Sequence, residues 1–308
     1  MHAGAPRMNG GIGFAVDGPH ALVVAKTASS VIIEDHRRWP MGTVELDQLR
    51  AAIDVSADRL GVQRGVTIRI EGEMRTHVGM GSATAIRLAA LEALALANGI
   101  ETDRAILVEA SGRGGTSGVG VNSYFDGGLI CDIGRKGSDR FAPSSQARAV
   151  PPALALPSIQ MPDWPILLCL PNSLRPKTQA EEIDFFARTT PIPGPASYEA
   201  SYVALFELYA AAAEADFAAF CRGVERMQLS AWKRAERIEY GDPLATINKG
   251  LHDAGAQCVG MSSLGPLLFC LANSEDVARL WQVAQKLDCD VREVRPVNRG
   301  RGLRLLNA

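Results

Sequence analysis

Period-two alternation and helical periodicity trade places along the chain. In VTIRIEG (66–72), Val66, Ile68 and Ile70 are separated by Thr67 and Arg69, the pattern of a half-buried strand. ALVVAK (21–26) and SVIIE (30–34) are further β-rich runs, and residues 44–60 read as a helix. Beyond the strand, Ile86, Leu88, Leu91, Leu94 and Leu96 give a broad apolar face that stops at the cap signal Asn98-Gly99. A second helix is predicted over about 103–111, and GGLICDIG follows as a strand. Residues 141–165, dense in Pro, Ala and Ser and lacking periodicity, read as a linker, which sets the expected domains at 1–155 and 156–308. The second half is predicted to run through the strand ILLCL, the polar loop PNSLRPKTQAEE, helices over 198–239, the glycine loop GAQCVGMSSLGP, the strand LLFCLA, an amphipathic helix at 274–287 and the strand DVREVRPV. This alternation is α+β in two domains.

Composition narrows the function. A chain of 308 residues with 47% hydrophobic positions can fill two cores. A formal net charge of −2 argues against a nucleic-acid partner, since neutralising many phosphates needs a basic excess. Cys131, Cys169, Cys221, Cys258, Cys270 and Cys289 sit in apolar neighbourhoods without zinc-ligand spacing and read as core thiols of a reducing compartment. No basic-then-apolar leader and no membrane-length apolar run is present, so a cytoplasmic protein with no membrane partner is expected.

The candidate chemistry lies in glycine-rich strings. GMGSAT, residues Gly79 to Thr84 with Gly81, Ser82 and Ala83 between, opens the apolar helix, where unpaired N–H groups and the helix dipole favour an anion. GRGGTSGVGVNSYFDGG (112–128) is predicted to be a ligand-facing loop between helix and strand. Arg113 suits a phosphate or carboxylate, and Thr116, Ser117 and Asn122 either donate to the same anion or close the turn. His77 is either a phosphate donor or structural. Arg175 and Lys177 reach a phosphate or belong to a solvated loop, and Asp17 in FAVDGP supports a turn.

HVGMGSAT (77–84) resembles the second signature of the GHMP small-molecule kinases, P-x-x-x-G-L-G-S-S-A, and GGTSGVG (114–120) resembles their P-S-G-V-D segment. In those kinases the aspartate ending that segment is the catalytic carboxylate, and a glutamate eleven positions earlier shares magnesium with the serine. On this chain Ser82 matches the serine and Glu109 the glutamate, but Gly120 stands where the aspartate belongs. A kinase using Asp126, six residues on, is the alternative and requires a different loop geometry. A ligand-binding sensor without catalysis is a third reading.

One branch of that superfamily matches better, the beta-ribofuranosylaminobenzene 5′-phosphate synthases. MNGGIGFAVDGP (8–19), HVGMGSAT, GRGGTSGVGVNSYFDGG and GMSSLGP (260–266) carry this resemblance, in the family's order. It implies a two-domain GHMP-kinase-like fold, an N-terminal α/β domain with a mixed sheet followed by a C-terminal ferredoxin-like α+β domain. It also implies condensation of phosphoribosyl pyrophosphate with 4-aminobenzoate or 4-hydroxybenzoate in tetrahydromethanopterin biosynthesis, with loss of carbon dioxide and pyrophosphate, by a homodimer. Its residues here would be Arg113, Ser117 and Asn122 for catalysis, Gly79, Gly81, Ser82, Ala83, Thr84, Ser262 and Ser263 for the phosphates, and Ser82 with Glu109 for Mg2+. Glycine at 120 agrees with an anionic benzoate, which an aspartate would repel. Ala83, Ala85 and Leu267 depart from the branch, whose members are also expected to carry a further strand before the MNGGIGFA region.

Overall fold

The computed structural model describes residues 7–62, 65–113, 117–136 and 153–305. Its first strands are Arg7–Met8 (β1), Gly11–Phe14 (β2), Ala21–Ala28 (β3) and Ile32–Asp35 (β4), followed by the helix Thr43–Leu60 (α1) and the strand Gly65–Gly72 (β5). The alternation along β5 has its expected effect: Val66, Ile68 and Ile70 are fully buried. β3 runs antiparallel and β4 parallel to β5, giving a mixed three-stranded sheet. The helices Ser82–Ala97 (α2) and Arg104–Ser111 (α3) cover it with α1, packing Ile53, Ile86, Leu91, Leu94 and Leu107 against the three buried strand residues.

A fourth helix, Gly118–Asp126 (α4), lies inside the stretch predicted as loop, and the strands Leu129–Asp132 (β6) and Arg135–Lys136 (β7) follow. Gly118 and Gly120 hide this helix from a propensity reading, because glycine costs about 1 kcal/mol against alanine in a helix interior. Packing overrides that cost at Gly118, where a Cβ would stand 2.1 Å from the Asp132 carboxylate. β6 pairs with β2, and β7 with β1. Part of the predicted linker lies outside the described residues. The rest lies along β6 through bridges from Ile159 to Leu129 and from Ala155 to Asp132.

The second half opens with the strand Ile166–Pro171 (β8) and the helix Gln179–Thr189 (α5), whose first turn lies in the segment predicted as polar loop. Gly194–Tyr202 (α6) continues through a π-helical stretch, Val203–Tyr209, into Ala210–Ala213 (α7). Phe217–Gln228 (α8), Ala231–Ile238 (α9) and Gly241–Asp253 (α10) lead to the hairpin of Cys258–Met261 (β9) and Leu268–Leu271 (β10), then Val277–Lys286 (α11) and Cys289–Val294 (β11). The antiparallel order β11-β8-β10-β9 is that of a ferredoxin-like sheet. β9 occupies a stretch predicted as glycine loop. Gly260 pairs with Phe269, and a Cβ there would stand 2.3 Å from that ring, so the glycine makes room for an aromatic partner within a strand.

Residues after β11 return to the first half. The Gly128 amide donates to the Val297 carbonyl at 2.7 Å and the Arg301 amide to the Tyr124 carbonyl at 2.8 Å. The Arg301 guanidinium grips the buried Glu92 carboxylate of α2 at 2.5 and 3.0 Å, and the Tyr124 hydroxyl donates to the same carboxylate at 2.6 Å. All six cysteines are free and buried. Among the described residues no helix is long and apolar enough to cross a membrane.

Candidate active site

Backbone geometry sets the centre of the site. Gly79 and Gly81 have φ of +98° and +66°, and His77 at +61° is bent the same way. A Cβ on Gly79 would stand 1.9 Å from the Ser262 carbonyl oxygen, and one on Gly265 would stand 1.9 Å from the Val78 carbonyl carbon. The glycine turns of the two halves therefore abut backbone to backbone, and the Ser262 hydroxyl pins the joint by donating to the Gly79 carbonyl at 2.9 Å. Ser263, at φ +47°, turns its carbonyl toward the Lys233 ammonium at 3.3 Å.

Gly81 is the N-cap of α2. It supplies no side-chain cap, and no acidic residue occupies the first turn. Its carbonyl accepts the Thr84 and Ala85 amides, while among the described residues the Ser82 and Ala83 amides have no acceptor. Such a helix start is an anion site. The Ser82 hydroxyl donates to the Arg75 carbonyl at 2.8 Å, which leaves its oxygen lone pairs open.

Two cations stand beside this helix start. Arg113 donates through Nε and Nη2 to the Thr84 hydroxyl at 3.1 and 2.8 Å, and Arg87 donates to the Ser111 carbonyl at 3.3 Å. Neither is in an ion pair among the described residues. Burial and then the charge of Arg87 push Arg113 down to about 10, opposed by Glu182, and burial lowers Arg87 as well. Two desolvated guanidiniums that repel one another without a contacting carboxylate are arranged to receive an anion.

The other predicted residues fall in different places. Ser117 is the N-cap of α4 on the wall of a cavity of about 2270 Å³ between the halves, which Ser82, Thr84, Arg87, Arg113 and Glu109 also line. Asn122 does not line it: its amide donates to the Gly118 carbonyl at 2.6 Å and its oxygen accepts from Arg104. Asp126 accepts two bonds of 2.8 Å from Arg104 and is likewise off the cavity wall. Glu109 is exposed in the last turn of α3, with no hydrogen bond or ion pair to its carboxylate among the described residues. Arg175 is paired with Glu181 and Lys177 with Glu239. Asp17 accepts the Arg295 amide at 2.9 Å, and Thr116 lies outside the described residues.

Sequence reasoning named His77 but missed the other groups that complete the wall. His77 contacts Glu45 at 2.8 Å, a hydrogen bond that raises the imidazole against the opposing effect of burial. Glu236 accepts from Trp232 at 2.8 Å and Lys233 at 2.5 Å. Asp132, buried at the end of β6 with its carboxylate against Gly118, is pushed up to about 6 by desolvation, despite the Gly134 amide at 2.7 Å and the charge of Arg7. Arg87 carried one legible sign, a cation five residues into the helix that the glycine loop opens.

The fold is GHMP-kinase-like. Residues 47–127 match the GHMP kinases N terminal domain. The homoserine kinase of Cytophaga hutchinsonii superimposes with a TM-score of 0.67 over 97% of this chain and 93% of that one, at 18% identity, a likeness of fold alone. Beta-ribofuranosylphenol 5′-phosphate synthase of Archaeoglobus fulgidus is 32% identical over 270 residues, covering 87% of this chain and 82% of the relative. The synthase of that name from Methanothermobacter thermautotrophicus is 28% identical, over 87% of this chain and 83% of the relative. The chain belongs to the beta-ribofuranosylphenol 5′-phosphate synthase family.

Proposed function

We propose that this protein joins phosphoribosyl pyrophosphate through carbon to 4-hydroxybenzoate or 4-aminobenzoate, releasing carbon dioxide and pyrophosphate. In this reading it works in the cytoplasm as a homodimer, in tetrahydromethanopterin biosynthesis. The observation that carries the proposal is the pair Arg87 and Arg113 beside an uncapped helix start, with Gly120 where a kinase would hold its carboxylate.

The chemistry needs negative charge stabilised on the leaving pyrophosphate as the anomeric carbon turns cationic. The Ser82 and Ala83 amides and the two guanidiniums supply fixed donors for that charge. They suit the pyrophosphate better than the benzoate carboxylate, because a guanidinium on the carboxylate would hold in place the charge that must leave as carbon dioxide. The Glu109 carboxylate and the Ser82 hydroxyl are oxygen donors of the kind Mg2+ takes and both line the cavity, so they would be the residues to hold it. When bound, Mg2+ would neutralise part of the pyrophosphate charge.

The alternative, phosphorylation of an alcohol with Asp126 as base, is disfavoured by the Arg104 pairing of that carboxylate away from the cavity. Incubation with Mg2+, phosphoribosyl pyrophosphate and either benzoate should release carbon dioxide and pyrophosphate in equal amounts. Release of neither, or transfer from ATP to a small alcohol instead, overturns the proposal.

A further inference from the structure

The cavity wall carries several carboxylates, and their partners differ. Glu45 is held by His77, Glu236 by Trp232 and Lys233, and Asp132 by the Gly134 amide, while Glu109 is exposed. Glu182, half-buried on α5, makes no side-chain hydrogen bond or ion pair among the described residues. It lines the same cavity as the arginine pair, within electrostatic range of Arg113 and His77 but bonded to neither among the described residues. Phe186, one helical turn further along α5, and Trp232 also line the cavity, their rings 5.3 Å apart between centroids. A carboxylate without a partner that shares a cavity with two aromatic side chains suits a flat ring carrying a hydrogen-bond donor.

We propose that Glu182 is a catalytic residue that accepts the proton of the acceptor's para hydroxyl. This inference rests on the transferase reading above. The ring carbon bearing the carboxylate forms the bond to the anomeric carbon, and the anomeric carbon–oxygen bond breaks with its electron pair leaving on pyrophosphate. As this occurs the hydroxyl proton passes to Glu182, and its O–H pair moves into the ring to give a dienone. The bond to the carboxylate carbon then breaks; its pair restores aromaticity, carbon dioxide departs, and the phenolic oxygen recovers the proton from Glu182. No net proton is consumed, and no strong base is required. Burial raises Glu182 above the ordinary carboxylate range, with His77 and Arg113 opposing and Glu236 reinforcing, which makes it a better proton acceptor than an exposed glutamate.

The test compares wild type with Glu182→Gln across 4-hydroxybenzoate and its ring-fluorinated analogues, whose phenols are more acidic. The variant should lose roughly a hundredfold in kcat on 4-hydroxybenzoate. The ratio of wild-type to variant rate should shrink steadily as the phenol becomes more acidic. Calorimetric binding of phosphoribosyl pyrophosphate and the melting temperature should match wild type. A ratio that stays constant along the series indicates a structural role and overturns the assignment, as does unimpaired turnover of 4-hydroxybenzoate by the variant. If wild type turns over neither benzoate, the transferase reading fails and this assignment falls with it; an active wild type with an indifferent variant sinks the assignment alone.

Discussion

Gly120→Asp isolates the feature that separates this chain from the kinases it resembles. A Cβ at 120 would meet Thr84 Cβ at 3.6 Å, Thr84 Cγ2 at 3.7 Å and the Gly81 Cα at 3.8 Å, all ordinary van der Waals contacts. Replacing a helical glycine removes an entropy cost of about 0.5–1 kcal/mol, and a carboxylate in the first turn of α4 adds a few tenths through the helix dipole. The variant should therefore melt at or above the wild-type temperature. Its carboxylate lies against the start of α2 and the Thr84 hydroxyl that Arg113 binds. At roughly 5 Å and an effective dielectric of about 20, two like charges repel by about 3 kcal/mol, or two orders of magnitude in an equilibrium or rate. Transfer to the benzoate should fall by about that factor in kcat/KM, with phosphoribosyl pyrophosphate binding partly retained. Carbon dioxide release measures the first, and calorimetry the second. Gly120→Ala, which adds the same Cβ without charge, should stay near wild type. Full activity in Gly120→Asp would refute the electrostatic reasoning, and an equal loss in Gly120→Ala would show that space rather than charge explains the glycine.

Asp132→Asn tests the buried carboxylate beside α4. Burial raises Asp132 from 3.8 to about 6 on folding, so the stability linked to its protonated form is fully present below 3.8 and lost as pH rises through about 6. At pH 8 the wild type bears a penalty of roughly 3 kcal/mol that the neutral amide avoids, so the variant should melt several degrees higher at pH 8 and gain nothing at pH 3.5. A melting difference independent of pH would contradict this. Glu109→Gln should raise by at least about tenfold the Mg2+ concentration that half-saturates pyrophosphate binding, on the scale lost with one charged ligand group, while leaving the melting temperature unchanged. Calorimetric titration reads this directly, and an unaltered Mg2+ requirement would remove Glu109 from the site.

Local patterns were legible where one face of an element meets one core. The alternation at Val66, Ile68 and Ile70 and the apolar stripe of α2 became buried faces, and the GMGSAT string became the positive-φ start of that helix. α5 carried a readable signal that was passed over: Thr178 and Glu181 form a capping box at its start. α4 and β9 were not legible, because Gly118 and Gly260 answer to a carboxylate and an aromatic ring brought in from elsewhere in the chain. The site divides in the same way. Arg113 stands out among glycines, whereas Arg87 and Glu182 sit in unremarkable helical positions on separate halves, and only the tertiary fold brings them to one cavity.

The return of residues 297–301 to the first half bears on how the protein is made. During synthesis α2 emerges early, carrying a glutamate whose arginine partner is added 209 residues later. A buried carboxylate deprived of its cation is strongly destabilising, so the first half cannot reach its final form before residue 301 is present. Its glycine loop is braced by the Ser262 turn, which also arrives late. The two halves are thus separable on paper but mature together.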